Sequence, residues 1–599
     1  MKKKLSVLFT CVLALVALPT HAQWLTQTLT LKAGWNAVFL HVDASYATLD
    51  QLIGSMAPSL TPIEQVWRWN PNPATAQFIV SPPRPVDLGN QWTSWKRSEG
   101  GTSPLQRLAG NTAYLIFSTI DYSWDLKGQP VLPTYSWSTS GLNLFGFPTV
   151  TNNPPNFDNF LAGAPSLQLG EIYTYPGGDL STNNPGLLYA LRTTPVLRGD
   201  AYWIRAGEIY NRYYGPFEVT AAGSGRVAFG DSLSTFSFRL KNLTENPLTV
   251  ALQLTASEVP PANQLPIVAA PPLLLRGIQN KIDLTYGFSQ LLPNTPSSWV
   301  LTPKGQPGSE VEVVLGLDRA NATGNPGDLL AGVLQLTDSL GHTHVDLAVS
   351  ATVASEAGLW VGAAAVNEVG QYLLSYLRDN DSQLIVNTNG AYIVTSVVTN
   401  LTPVPTAYPL RLIVHNPSSG PATLLQRVYY GINVASNSIV ANQEAALAPN
   451  LLGAARRISA SHLPWSEANP GWFFNRSLAQ GAILSVLVTN LFNDQVSNPF
   501  LHTYHPDHDN LDAQFKNELP QGSESYTVVR QVTLSVTPPA NHFASRVAAG
   551  LTLTGEYLET IRVLGLARAG NSYDARRFDV KGDFKLNRIS EISTLTRVP

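Results

Sequence analysis

The chain has 599 residues with only 13% charged side chains, a formal net charge of −3, 44 glycines, 44 prolines and one cysteine. A charged fraction about half the usual quarter leaves polarity to Ser, Thr, Asn and Gln, and the lack of a basic excess argues against nucleic acid, whose phosphates must be neutralised by cations. A single thiol cannot build a disulfide framework, so stability must come from burial, which a chain long enough for three or four domains supplies.

Lys2, Lys3 and Lys4 precede an apolar run from Leu5 to Leu18, followed by Pro19-Thr20-His21-Ala22. This pattern predicts a signal peptide over 1–22, cleaved after Ala22. The run is shorter than the roughly 20 residues of a membrane span, and no later stretch supplies a transmembrane segment. The mature chain is therefore expected to be secreted, periplasmic or at the cell surface. Cleavage removes three lysines and Cys11, which takes the net charge from −3 to −6 and leaves no thiol.

The next two hundred residues read as two copies of a small β-module, 23–132 and 133–220. Leu31-Lys32-Ala33-Gly34-Trp35-Asn36-Ala37-Val38-Phe39-Leu40 aligns with Ser140-Gly141-Leu142-Asn143-Leu144-Phe145-Gly146-Phe147-Pro148, each a strand opening after a glycine turn. A short helical signal follows in both, Thr48 to Ile53 and Asn156 to Leu161. Aromatic strands come next, at Val66-Trp67-Arg68-Trp69 and Ile172-Tyr173-Thr174-Tyr175. Gly110-Asn111-Thr112-Ala113-Tyr114-Leu115-Ile116 then matches Gly199-Asp200-Ala201-Tyr202-Trp203-Ile204. Closing strands are expected around Tyr122 to Leu126 and Tyr213 to Val219. These residues resemble a repeat module of bacterial secreted and surface proteins in which a "G-W-N" opening strand pairs with a later "A-Y-W-I" strand. The resemblance covers about 25–220, with Leu142 in place of the tryptophan in the second copy. It implies extracellular placement and brings no catalytic residues.

From 221 the pattern changes to longer alternating strands, with Phe236, Phe238 and Leu240 on one face and Ser237 and Arg239 on the other. Val311 to Leu317, Gly332 to Leu336 and Val345 to Val353 continue the series between Pro- and Gly-rich turns. This predicts an immunoglobulin-like β-sandwich over 221–355. Residues 356–599 form the last region, with strands expected at Leu410 to His415, Leu425 to Tyr430, Ala482 to Val488, Tyr526 to Val536 and Gly550 to Thr554. The expected fold is thus all-β and multi-domain: tandem small β-modules, a sandwich, and a larger C-terminal β-sandwich or jelly roll.

Three clusters are candidates for chemistry. Val227-Ala228-Phe229-Gly230-Asp231-Ser232-Leu233-Ser234 looks like the opening block of the GDSL esterase and lipase family, in which Ser232 would be the nucleophile. The family's later G-x-N-D and D-x-x-H blocks are missing and a strand pattern follows in place of a helix, so Gly230-Asp231 is better read as a turn. His502-Thr503-Tyr504-His505-Pro506-Asp507-His508-Asp509-Asn510-Leu511-Asp512 is the densest polar run. It reads first as a hydrogen-bonded loop. His505, Asp507, His508, Asp509 and Asp512 are its candidate metal ligands, the oxygens suiting Ca²⁺ and the histidines, less well, Zn²⁺. His342 and His344 share a strand face with Asp346 and are expected to look into solvent. Most aromatics of the modules should be strand packing; Trp92, Trp95 and Trp124 are the candidates for an exposed sugar-stacking platform. The expected function is a non-catalytic extracellular scaffold or adhesion protein with no required cofactor, engaging polysaccharide or other surface proteins. The rival is a secreted metal-dependent hydrolase working at 502–512.

Overall fold

The computed structural model describes residues 23–596 apart from 72–75, 77, 86–90, 139–140, 165–166, 168–169, 182, 206–214, 222–224, 378, 382, 391–392, 399, 434–436, 445–446, 448–450, 452, 464–470, 492–525 and 567–571. The chain is all-β and multi-domain, and its contacts divide it into two units, Met1–Val353 and Ala354–Pro599. No helix among the described residues is long and apolar enough to cross a membrane.

The first unit opens with strands β1 (Leu25–Leu31), β2 (Gly34–Leu40), β3 (Val42–Asp43), β4 (Ile63–Trp69), β5 (Trp92–Lys96), β6 (Thr112–Ser118) and β7 (Tyr122–Pro130), and continues with β8 (Leu142–Phe145), β9 (Ile172–Thr174), β10 (Gly186–Leu187) and β11 (Tyr202–Arg205). One sheet runs β2-β6-β4-β5 and another β8-β11-β9-β10, so in both the opening strand pairs with the last one and the aromatic strand lies beyond it. A third sheet, β1-β7-β3, covers the first from behind.

The apolar run in β2 does not alternate because both of its faces are buried. Val38 and Leu40 pack with Val66, Trp95, Tyr114 and Ile116. Ala37 and Phe39 face the other way, against Leu142, Leu144, Ala201 and Trp203 of the second sheet. The free edge of β2 is closed by the same neighbour: Trp35 N–H donates to Gly178 O at 2.9 Å, Phe39 N–H to Gly199 O at 2.8 Å, and Ala201 N–H to Ala37 O at 3.0 Å. An edge that would otherwise invite another strand is thereby satisfied. Gly34 is required there, since its φ is +95° and a Cβ would stand 2.3 Å from Gly178 O.

The sandwich follows. One sheet runs Phe217–Ala221, Thr235–Asn242, Glu310–Leu317, Leu273–Gln279, Tyr286–Leu291; the other runs Val227–Ala228, His344–Thr352, Leu329–Asp338, Leu248–Ala256, Ser297–Leu301, with Ile267–Ala269 alongside. Phe238 and Leu240 of the first sheet meet Val250, Leu252, Leu334 and Leu347 of the second in one core, as the alternation requires. The expected division at 220/221 does not coincide with a break in the fold. Phe217–Ala221 is a strand of the sandwich sheet, pairing Val219 with Leu240, and Leu132 lies in the sandwich core.

The second unit is built on one antiparallel sheet in the order Gly471–Phe473, Thr423–Leu425, Thr402–Asn416, Gly358–Tyr376, Ser572–Ser590, Thr552–Leu566, Tyr526–Val536, Ile483–Asn490, with Val394–Val398 beside Gly358–Tyr376. Arg427–Ile432 joins Ser438–Ala441 and Arg456–Ser459 in a small second sheet. The strand expected over Leu425 to Tyr430 is therefore broken at Gln426 and shared between two sheets. Trp360, Leu412, Leu534, Tyr557, Phe584 and Leu586 fill the core. The alternate positions Ala363, Arg411, Lys585 and Asn587 are left to the opposite face.

A candidate ligand groove on the second unit

The tryptophans expected to form an exposed platform do not do so. Trp95 and Trp124 are only 1% and 5% exposed, in the core behind β2, where Trp95 Nε1–H donates to Asp50 Oδ1 at 2.9 Å. Trp92, an odd number of residues before Trp95, points to the other face of the sheet and is half-buried, its ring 4.9 Å from Trp69 and 6.5 Å from Trp203. Large rings carry most of the apolar area of such small modules, and here they are used for packing.

Ser232 is exposed in a turn that leads from Val227–Ala228 into the strand Thr235–Asn242. Phe229 N–H donates to Ser350 O and Leu233 N–H to Phe229 O, both at 2.9 Å, which is turn chemistry between strands. His344 is not on a solvent-facing row: Arg198, from the end of the second module, reaches over it. Arg198 Nη2 lies 2.7 Å from Asp346 Oδ2, and His344 Nε2 lies 2.9 Å from Asp346 Oδ1. Burial alone would raise the Asp346 pKa, but His344 and Arg198 hold it below the usual carboxylate range. The run from His502 to Asp512, with His505, Asp507, His508, Asp509 and Asp512, lies outside the described residues. Among the described residues no group of three or more His, Cys, Asp or Glu side chains could hold a metal ion.

A pair of grooves lies on the outer face of the large sheet. In the pairing register, Arg411 and Lys585 both stand opposite Ala363, one on each neighbouring strand. Two strand spacings of about 4.8 Å place their backbones about 10 Å apart, with a methyl group as the floor between them. Gly362 allows this close approach, since a Cβ there would lie within 1.8 Å of Lys585 O. The segment 458–462 forms a wall, and Ser459, Ser461, His462, Arg411, Lys585 and Asn587 supply the polar lining of a groove of about 960 Å³. His462 is held neutral, its pKa lowered to about 4 by burial and then by Arg530, whose Nη1 donates to His462 O at 2.6 Å.

Lys585 also lines a second groove of about 500 Å³ on its other side. Thr554, which pairs with Lys585 in register, together with Thr537, Thr552, His542 and Ser545, gives that groove a hydroxyl and imidazole lining. His542 Nδ1 accepts the Ser545 N–H at 3.3 Å, leaving Nε2 as the ring's other polar atom. Among the described residues no carboxylate lines either groove. The sequence signals for this site were faint. Alternation in Phe584-Lys585-Leu586-Asn587 places Lys585 outward, but Ala363 and Arg411 come from strands more than a hundred residues away, and only the pairing register brings them beside it.

No protein-family model and no curated protein matches the chain. Solved structures similar to it in part include a protein of unknown function from Bacteroides ovatus, at 8% identity over 62% of this chain and 94% of that one, with a TM-score of 0.14. An allantoicase aligns at 10% identity over 49% of this chain and 73% of its own, with a TM-score of 0.13. The arabinofuranosyltransferase AftD from mycobacteria aligns at 9% identity over 95% of this chain and 38% of its own, with a TM-score of 0.11. At such scores none of the three carries fold or function to this chain.

Proposed function

We propose that this chain is an exported, non-catalytic scaffold or adhesion protein that engages polysaccharide on the outer face of its second unit. The observation that carries the reading is the pair of adjoining grooves around Lys585, lined by hydroxyl, amide, imidazole and cationic groups that can hydrogen-bond a chain of sugar hydroxyls. The basic, apolar and small-residue sequence of 1–22 supports export. Equal strand order in the sheets β2-β6-β4-β5 and β8-β11-β9-β10 supports reading 25–220 as two copies of one module of the bacterial surface type. In this reading the modules are the scaffold, because their aromatics pack inward.

Affinity electrophoresis of the mature protein through gels containing dissolved neutral and acidic polysaccharides tests the proposal. Retardation by at least one polysaccharide is expected. Equal mobility in every gel removes polysaccharide binding.

A further inference from the structure

Resting on that reading, we propose that the paired grooves take an anionic polysaccharide, one bearing carboxylate or sulfate groups, held by Arg411 and Lys585. The electrostatics point this way. The chain as a whole is acidic, with a net charge of −3. Yet on this face two exposed cations flank Ala363, and neither is in an ion pair among the described residues. Arg457, also exposed, lies two residues before Ser459 on the strand that walls the groove.

Of the carboxylates that come next on the sheet face, Glu556 is paired with a cation, while Asp583 is bonded to a neutral amide and keeps its charge. Glu556 takes Lys581 at 3.0 Å, and Asp583 accepts from Asn367 Nδ2 at 3.3 Å. Cations with no ion pair among the described residues, in grooves that no described carboxylate lines, attract anions. A guanidinium can hold a carboxylate or sulfate in bidentate fashion.

The grooves also discriminate against a neutral sugar. Apart from the imidazoles of His462 and His542, no aromatic ring among the described residues lines either one, so the described lining offers no stacking surface of the kind that anchors uncharged pyranose rings. The same lack disfavours single-stranded nucleic acid, which is held by bases stacked on aromatic side chains. Lys585 lines both grooves, so a ligand that contacts Arg411 in one can pass Lys585 and reach Thr552, Thr554 and Ser545 in the other. That continuity fits a polymer better than a single small anion.

The test is titration of the full mature chain with polygalacturonate, dextran sulfate, unmodified dextran and polyuridylate. We expect polygalacturonate, dextran sulfate or both to bind. Binding should weaken about tenfold or more when salt is raised from about 0.05 M to about 0.3 M. Lys585→Gln and Arg411→Gln should each weaken it about tenfold, the scale of one charge-assisted hydrogen bond, while Lys585→Arg retains it. Polygalacturonate alone identifies a carboxylate site, and dextran sulfate alone a sulfate site. Dextran bound as tightly as the acidic polymers, or acidic polymers bound equally by the Gln variants, overturns the anionic site and leaves the polysaccharide reading standing. Polyuridylate bound as tightly as the acidic polysaccharides overturns it in favour of indiscriminate polyanion capture. If no polysaccharide binds, both readings fall.

Discussion

The side chain of Asn36 closes the turn ahead of β2 upon itself, with Oδ1 accepting the Lys32 N–H at 2.8 Å and Nδ2 donating to the Lys32 and Gly34 carbonyls at 2.8 and 3.0 Å. Asn143 makes the same three bonds ahead of β8, with Ser138 N–H at 2.6 Å and the Ser138 and Gly141 carbonyls at 3.0 and 3.1 Å. Removing either side chain leaves backbone groups of a partly buried turn without their partners. Asn36→Ala and Asn143→Ala should therefore each lower the unfolding free energy by about 2 kcal/mol in urea melts. A change within experimental error at one position but not the other would break the equivalence of the two turns. His41 governs a pH effect instead. It is 5% exposed, and burial, followed by the charges of Arg198 and His344, holds its pKa well below the usual 6.5. The unfolded chain takes up a proton at His41 near pH 6.5 and the folded chain does not, so stability is present above that pH and is lost as pH falls below it. Asp200 works in the opposite sense, because burial pushes its carboxyl up to about 6 and the folded state gains a proton before the unfolded one does. Between pH 7 and 5 the His41 contribution should fall as pH drops below 6.5, while the Asp200 contribution rises. Thermal midpoints across this range should flatten in His41→Asn and steepen in Asp200→Asn; unchanged slopes in both would contradict these assignments.

At the level of the element, the strands Tyr526–Val536 and Thr552–Leu566 carry a polar bridge inside an apolar core. Arg530 Nε donates to Glu559 Oε1, Arg530 Nη1 to His462 O, and Tyr557 Oη–H to Glu559 Oε2 at 2.9 Å. Glu559 is 3% exposed. A buried charge left without its partner is expensive, so Arg530→Met should destabilise the protein by about 3–5 kcal/mol, whereas Arg530→Met with Glu559→Met should recover most of that. If the double variant is no more stable than the single in chemical denaturation, the penalty does not come from an uncompensated carboxylate. Elements of this kind differ in how far their sequence betrays them. Strands buried on one face, such as Thr235–Asn242, were legible from alternation because Phe238 and Leu240 go in and Arg239 stays out. The opening strand β2 was legible as a strand but not in its orientation, since Phe39 and Val38 are buried in opposite directions. For the same reason Trp95 and Trp124 could not be told from surface aromatics. The groove was least legible: Arg411 and Lys585 meet across Ala363 only through the pairing register of three strands, which no local pattern encodes.

Across the first unit, the modules and the sandwich are tied together by interactions that ignore the boundaries suggested by composition. Leu132 is part of the sandwich core, and Phe217–Ala221 is hydrogen-bonded to Thr235–Asn242. Arg198 is paired with Asp346 in a contact where the side chains retain 12% and 3% of their exposure. Near β1, Thr26 N–H and Oγ1–H donate to the Glu258 carboxylate at 2.9 and 2.6 Å, and Lys127 approaches it at 3.3 Å. A fragment covering 23–220 would expose Leu132 and Phe217, lose the partner of its last strand and take from Arg198 its bonds to His344 O and Asp346. Each of these defects costs on the order of 1–3 kcal/mol, together a large share of the 5–15 kcal/mol that stabilises an ordinary domain. We therefore expect 23–353 to unfold as one cooperative transition with native-like circular dichroism, and 23–220 to be largely unfolded or aggregated. Hydrogen exchange distinguishes the cases residue by residue, because β2 and β6 should be protected in 23–353 and exchange freely in 23–220. Full protection of those strands in the shorter fragment would mean that the core around Val38, Tyr114 and Trp95 suffices for the modules, and that their ties to the sandwich serve only to fix its position.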